Sequence, residues 1–171
     1  MSKPPTPADP ASGAALAFCD HDHSRCSGGL LAQADVLAEE RGARLTPVRR
    51  RVLEILLEEH RALGAYEVLE RLVKDGFGNQ PPVAYRALDF LVDQGLVHRI
   101  SRLNAFMACM HPGKAHSPAF FICQTCNGVA EAPGQAIGHA VTGAATSIGF
   151  AAKRVTVEVL GLCPACSDGQ T

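Results

Sequence analysis

An α+β fold in two parts is predicted by three features of this chain. Helical periodicities followed by a strand–turn–strand pattern fill the sequence up to residue 110. The composition then shifts through a short stretch with Pro and Gly, residues 111–117. Beyond it, strand patterns frame two close cysteine pairs, Cys123-Gln124-Thr125-Cys126 and Cys163-Pro164-Ala165-Cys166.

Residues 1–29 are rich in Pro, Ser, Gly and Asp and lack periodicity, so they read as a disordered tail. The first helix is expected over 30–41, with Leu31, Ala34, Leu37 and Ala38 at helical spacing and Gly42 as its stop. Thr46-Pro47 is an N-cap followed by Pro at the first helical position. The helix it opens points Val48, Val52, Ile55, Leu56 and Leu57 inward. A third helix, Ala65–Lys74, buries Val68, Leu69, Leu72 and Val73, and Gly76 and Gly78 end it. Pro81-Pro82 starts a fourth, to about Gln94, whose apolar stripe is Ala84, Ala87, Leu88, Leu91 and Val92. Tyr85 and Arg86 fall outside that stripe. Strands Leu96–Ile100 and Ala105–Met110 follow as a hairpin.

Helices followed by a hairpin are the order of a winged helix-turn-helix domain, here 30–110, with the fourth helix placed to enter a major groove. Charge agrees. The chain as a whole is net −1, yet residues 41–102 carry eleven basic and eight acidic groups, and residues 1–40 two basic and six acidic. The positive excess lies where a nucleic-acid surface needs it.

After the hinge, residues 118–171 read as a small α/β domain. Strands are expected at Ala119–Cys123 and Gly128–Ala132, then a Gly-interrupted helix at 134–149 with Ile137, Val141, Ala145 and Ile148 on one face. The stretch 153–160 alternates, with Val155, Val157 and Val159 on one side. So short a segment has little core of its own, and metal stapling and self-association both compensate.

Cys123, Cys126, Cys163 and Cys166 form the pattern of a closed tetrahedral Cys₄ zinc site, a structural staple. The chain has seven cysteines, and paired x₂ spacing points to metal binding in a reducing, cytoplasmic compartment. No apolar run reaches the roughly 20 residues of a membrane span, and no secretory signal is read at the Pro-rich start. A second metal set is open to two readings. His98 and Cys109 lie on the two wing strands, His116 in the hinge and Glu131 past the first pair, a set of ligand types that suits zinc. Equally, His98 and His116 are surface residues and Cys109 a small core residue. His60, His111 and His139 read as exposed or locally hydrogen-bonded. Cys19, His21, His23 and Cys26 of the tail form a weak metal-binding pattern.

The chain resembles the ferric uptake regulator family, and most closely its zinc-sensing branch. The resemblance rests on Arg44-Leu45-Thr46-Pro47-Val48-Arg49, Ala65-Tyr66-Glu67-Val68-Leu69, the run Pro81–Leu91, Gln94-Gly95-Leu96-Val97-His98, Phe120–Cys126 and Gly161–Cys166, in order over about residues 30–168. It implies a homodimer with a dimerisation domain at 118–171, repressing transcription from operator DNA when zinc is plentiful. It implies about two zinc ions per chain: one structural in the Cys₄ site, one regulatory at His98, Cys109, His116 and Glu131. It places Tyr85 and Arg86 at the groove and Arg44 and Arg49 at phosphates. Where the family has Thr-Val before the Tyr-Arg of its reading helix, this chain has Val83-Ala84, and a hydroxyl is lost.

An iron-, manganese-, nickel- or peroxide-responsive regulator shares this fold. The hinge 110–117 lacks the His-rich motif with Asp that iron and peroxide sensors carry, and a thiolate at Cys109 suits zinc better than Fe²⁺ or Mn²⁺. A zinc-ribbon adaptor that binds protein is the alternative of another class. An enzyme is not expected. The chain has no His-Glu-x-x-His, and its Cys-x-x-Cys pairs end strands outside a thioredoxin-like setting.

Overall fold

A computed structural model of the chain describes residues 24–58, 61–113, 117–153 and 155–167. They form two compact units. The first runs α1 (Ser24–Glu40), α2 (Pro47–Glu58), β1 (Leu63–Gly64), α3 (Ala65–Lys74), α4 (Pro81–Asp93), β2 (Val97–Ile100) and β3 (Ala105–Ala108). The second runs β4 (Pro118–Cys123), β5 (Val129–Pro133), α5 (Gln135–Ser147), β6 (Val157–Gly161) and the single turn α6 (Pro164–Ser167).

In the first unit α2, α3 and α4 close around one aliphatic core, in which Val52, Ile55, Val68, Leu72, Leu88 and Leu91 are fully buried. Burial follows the helical period, and where it departs the geometry explains why. Val73, expected inside, is 45% exposed. It lies one residue past Leu72, so a 100° step carries it to the edge of the stripe defined by Ala65, Val68, Leu69 and Leu72. The first helix starts at Ser24, upstream of Leu30 where its periodicity begins, and buries Ala34 and Ala38.

Helix α3 begins where the Glu67 carboxylate accepts the Gly64 N–H at 2.8 Å and the Arg61 guanidinium at 2.8 Å. Those two donors, Arg61 first, hold the Glu67 carboxyl below the usual carboxylate range. Helix α4 ends at Gly95, whose φ of +66° suits a residue without Cβ. The turn returns the Leu96 N–H to the Leu91 carbonyl at 2.9 Å and launches the wing. The wing sheet has the order β1-β3-β2, all antiparallel. Strand β1 is two residues long, too short to leave a period in the sequence.

In the second unit the sheet order is β5-β4-β6. Strand β4 is antiparallel to β5 and parallel to β6, with α5 on the connection from β5 to β6. Strand β6 starts at Val157, so the expected alternation from residue 153 is strand only in its second half. Val159 is 38% exposed, as is its register partner Phe121 at 40%. The apolar face of α5 is exposed too: Ile137, Val141 and Ile148 all lie open. Its buried residue is Gly138.

Helix α5 reaches the start of β4 through glycine. The Gly134 N–H donates to the Ser117 carbonyl at 3.0 Å. A Cβ on Gly134 would stand 2.5 Å from that same oxygen, and backbone cannot yield as a side chain does. Gly134→Ala is therefore expected to lower stability by about 1–3 kcal/mol, the usual range for overpacking. Denaturant unfolding of the zinc-loaded protein checks it; an unchanged midpoint would show that the helix shifts at no cost.

Candidate metal centres and nucleic-acid interface

Parallel pairing of β4 and β6 sends both strands to the same sheet end. The Cys123 position pairs with Gly161, and the Gln124 N–H donates to the Gly161 carbonyl at 2.9 Å. Cysteine pairs some forty residues apart in sequence thereby meet. The first runs from the end of β4 into a turn relaxed by Asn127 at φ +57°. In the second, the Cys163 carbonyl accepts the N–H groups of Cys166 and Ser167 at 3.0 and 2.9 Å, which closes the turn of α6. The four Sγ atoms lie within 4.8 Å of one another. Tetrahedral zinc with bonds of about 2.3 Å sets its sulfurs about 3.8 Å apart, so the donor set fits that ion. Cys123 and Cys163 are buried, Cys166 half-buried and Cys126 exposed.

The wing holds a second pair of metal-ligand type. Register sets His98 opposite Met107, and the Cys109 N–H extends the ladder to the Leu96 carbonyl at 2.9 Å. His98 and Cys109 are thus diagonal neighbours on one face of the hairpin. Their ligating atoms lie within 4.8 Å of each other. Both are buried, His98 to 7% exposure and Cys109 to 2%, and among the described residues His98 is the one buried polar side chain. This overturns the surface reading of His98. An imidazole and a thiol enclosed together are a ready pair of soft and borderline donors. Glu131 sits in the second unit on β5, opposite Phe120 in register and half-buried. His116 lies outside the described residues, as do His60 and the tail's Cys19, His21 and His23. His111 and His139 are exposed.

Helix α4 buries Ala84, Ala87, Leu88 and Leu91 and leaves Tyr85 and Arg86 open. Charge on this unit is not spread evenly over its arginines. Arg50 pairs with Asp35, Arg61 with Glu67 and Arg71 with Glu58. Arg51 binds Glu58, Asp75 and Glu54, which together raise its already high pKa and lock α2 to the end of α3. Those four serve the fold. Arg44 and Arg86 are exposed. Arg49 is half-buried: its Nη1 donates to the Arg44 carbonyl at 2.8 Å, and its guanidinium carbon lies 3.5 Å from the centroid of the Phe90 ring. Phe90 belongs to the run Pro81–Leu91 that carries the resemblance, but its contact with Arg49 joins distant segments and leaves no local signal in the sequence.

A family model described as the Ferric uptake regulator family matches residues 40–160. The chain is 37% identical over 140 residues to the zinc uptake regulation protein of Escherichia coli (strain K12), covering 81% of this chain and 82% of that protein. The zinc uptake regulation protein of Shigella flexneri matches to the same extent. Among solved structures, a zinc uptake regulator complexed with zinc and DNA superposes with a TM-score of 0.80 at 35% identity, covering 84% of this chain and 97% of that one. The crystal structure of holo XcZur gives 0.75 at 35% identity, covering 82% and 98%.

Proposed function

The chain belongs to the ferric uptake regulator family, and on that premise we propose that it is a zinc-responsive transcriptional repressor. It binds operator DNA as a homodimer when zinc fills a regulatory site, and so controls zinc uptake genes. It acts as a regulator and not as an enzyme, and it works in the cytoplasm; no described helix is long and apolar enough to cross a membrane. The observation that carries the reading is the buried His98–Cys109 pair on the wing of the same unit that exposes Tyr85 and Arg86.

Each chain holds about two zinc ions in this reading. Cys123, Cys126, Cys163 and Cys166 hold the structural one. His98, Cys109, His116 and Glu131 hold the regulatory one, and a thiolate in that set favours zinc over Fe²⁺ or Mn²⁺. Bound zinc supplies a cross-link among groups that chain connectivity alone leaves separate. The wing gives two ligands, the hinge (111–117) one, and β5 of the dimerisation domain (118–171) one. Fixing them selects one orientation of the reading helix from many, which is a population shift. A second copy covers the exposed apolar residues Phe121 and Val159 of the sheet and Ile137 and Val141 of α5. Two copies of α4 then face successive major grooves, about 34–36 Å apart.

Tyr85 and Arg86 contact bases, with Arg86 donating two hydrogen bonds to one guanine. Arg44 lies at phosphates, a contribution that salt weakens, whereas the Arg49 guanidinium is engaged by the Phe90 ring and the Arg44 carbonyl. Arg86→Ala is expected to cost about 1–3 kcal/mol of discrimination between operator and random duplex. Competition binding measures it, and unchanged discrimination would count against Arg86. The function itself is tested by selection from a random duplex pool. Zinc-loaded protein enriches a sequence with two related half-sites, and chelated protein enriches none. Equal enrichment under both conditions contradicts the proposal.

A further inference from the structure

Helix α4 is held at its far end by two arginines from other elements. Arg41, just past α1, donates through Nη1 to the carbonyl of Gln94, the C-cap residue of α4. Arg49, in the first turn of α2, has its guanidinium carbon over the Phe90 ring, 3.5 Å from the centroid. The same guanidinium donates to the Arg44 carbonyl at 2.8 Å, a second anchor for it. Phe90 itself is half-buried and packs against the core. A cation therefore lies over a ring that is itself packed against the core.

We infer that Arg49 and Phe90 form a brace that sets the angle at which α4 presents Arg86 and Tyr85, so that Arg49 is a positioning residue for base recognition. This rests on the reading of α4 as the base-contacting helix. Phe90 stands four residues from Arg86, about 6 Å along the axis. Bidentate hydrogen bonds to a base edge tolerate little displacement. Loosening the far end lets α4 tilt, and the tilt costs base contacts while leaving phosphate attraction intact. Arginine suits the task better than lysine, because only a planar guanidinium stacks on a ring and donates in its own plane at once.

The test keeps every charge. Arg49→Lys, Phe90→Leu and the double variant are compared with wild type, all zinc-loaded, with unfolding midpoint and zinc content as controls. Two probes are used: the duplex that the wild type enriches from a random pool, and the unselected pool. Each single variant is expected to bind the selected duplex roughly 2–5-fold more weakly, the range of an exposed cation–π contact. Binding to the unselected pool, and the slope of log affinity against log salt, stay as in wild type. The double variant loses no more than Arg49→Lys alone, since the two changes break one contact. Phe90→Tyr, which keeps the ring, restores selection.

Selection by Arg49→Lys equal to wild type overturns the brace. So does a loss that is equal on both probes, or losses that simply add in the double variant. If Phe90→Leu does not fold, Arg49→Lys against Phe90→Tyr decides alone. A wild type that enriches nothing from the pool refutes the underlying reading of α4, and the brace with it. A wild type that selects while all variants select equally refutes the brace only.

Discussion

Cys123→Ser unfolds the second unit and releases its zinc. Cys123 ends the central strand β4 and is 1% exposed, so no solvent replaces its sulfur in the cluster. The unit has few buried apolar side chains beyond Ala119, Phe120, Ile122, Val129 and Ala130. Without the staple that core is too small to hold the sheet. Site formation and folding are coupled in small zinc domains, with apparent binding energies of ~10–16 kcal/mol. Losing one of four thiolates removes roughly a quarter of that, on the order of 2.5–4 kcal/mol. Calorimetric unfolding, zinc content and sedimentation measure the outcome: a lower or absent transition, less than one zinc retained at the Cys₄ site, and a monomer. A dimeric Cys123→Ser protein with the wild-type midpoint would refute the structural role.

Cys109→Ser leaves a folded dimer that no longer answers to zinc. Serine nearly matches cysteine in volume, and the backbone bond from the Cys109 N–H to Leu96 is untouched by the change. The Cys₄ cluster does not include Cys109. What is lost is the thiolate, and a hydroxyl is a poor ligand for zinc. Coupling between an effector site and a binding site is typically 5–150-fold. Zinc should therefore raise operator affinity by that factor in wild type and leave Cys109→Ser unchanged, at about one zinc per chain against about two. A Cys109→Ser protein that still requires added zinc to bind operator would sink the assignment of the sensor.

Helices α2, α3 and α4 were legible because each has one buried stripe and a clear start or stop. Pro47, Pro81 and Gly95 stand where the chain turns. The Cys₄ site was legible from spacing alone, though not the parallel β4–β6 pairing that assembles it. That pairing joins residues about forty apart, and no local pattern records it. Strand β1 and the brace of Arg49 on Phe90 were missed for a related reason: both are made by contacts between distant segments. The α5 stripe was legible, but not what covers it. Ile137, Val141 and Ile148 have the spacing of a buried stripe, yet they lie open within one chain, since spacing does not say whether the partner is the same molecule. His98 was ambiguous in the sequence. Only its enclosure beside Cys109 removed the reading of a surface histidine.

Zinc titration against DNA affinity probes the switch most directly. Protein holding one zinc per chain is titrated with Zn²⁺ while fluorescence anisotropy follows the selected duplex. Affinity should rise 5–150-fold as a second zinc per chain is taken up, and fall back when a chelator removes it. Equal affinity at one and at two zinc per chain would contradict zinc-gated repression.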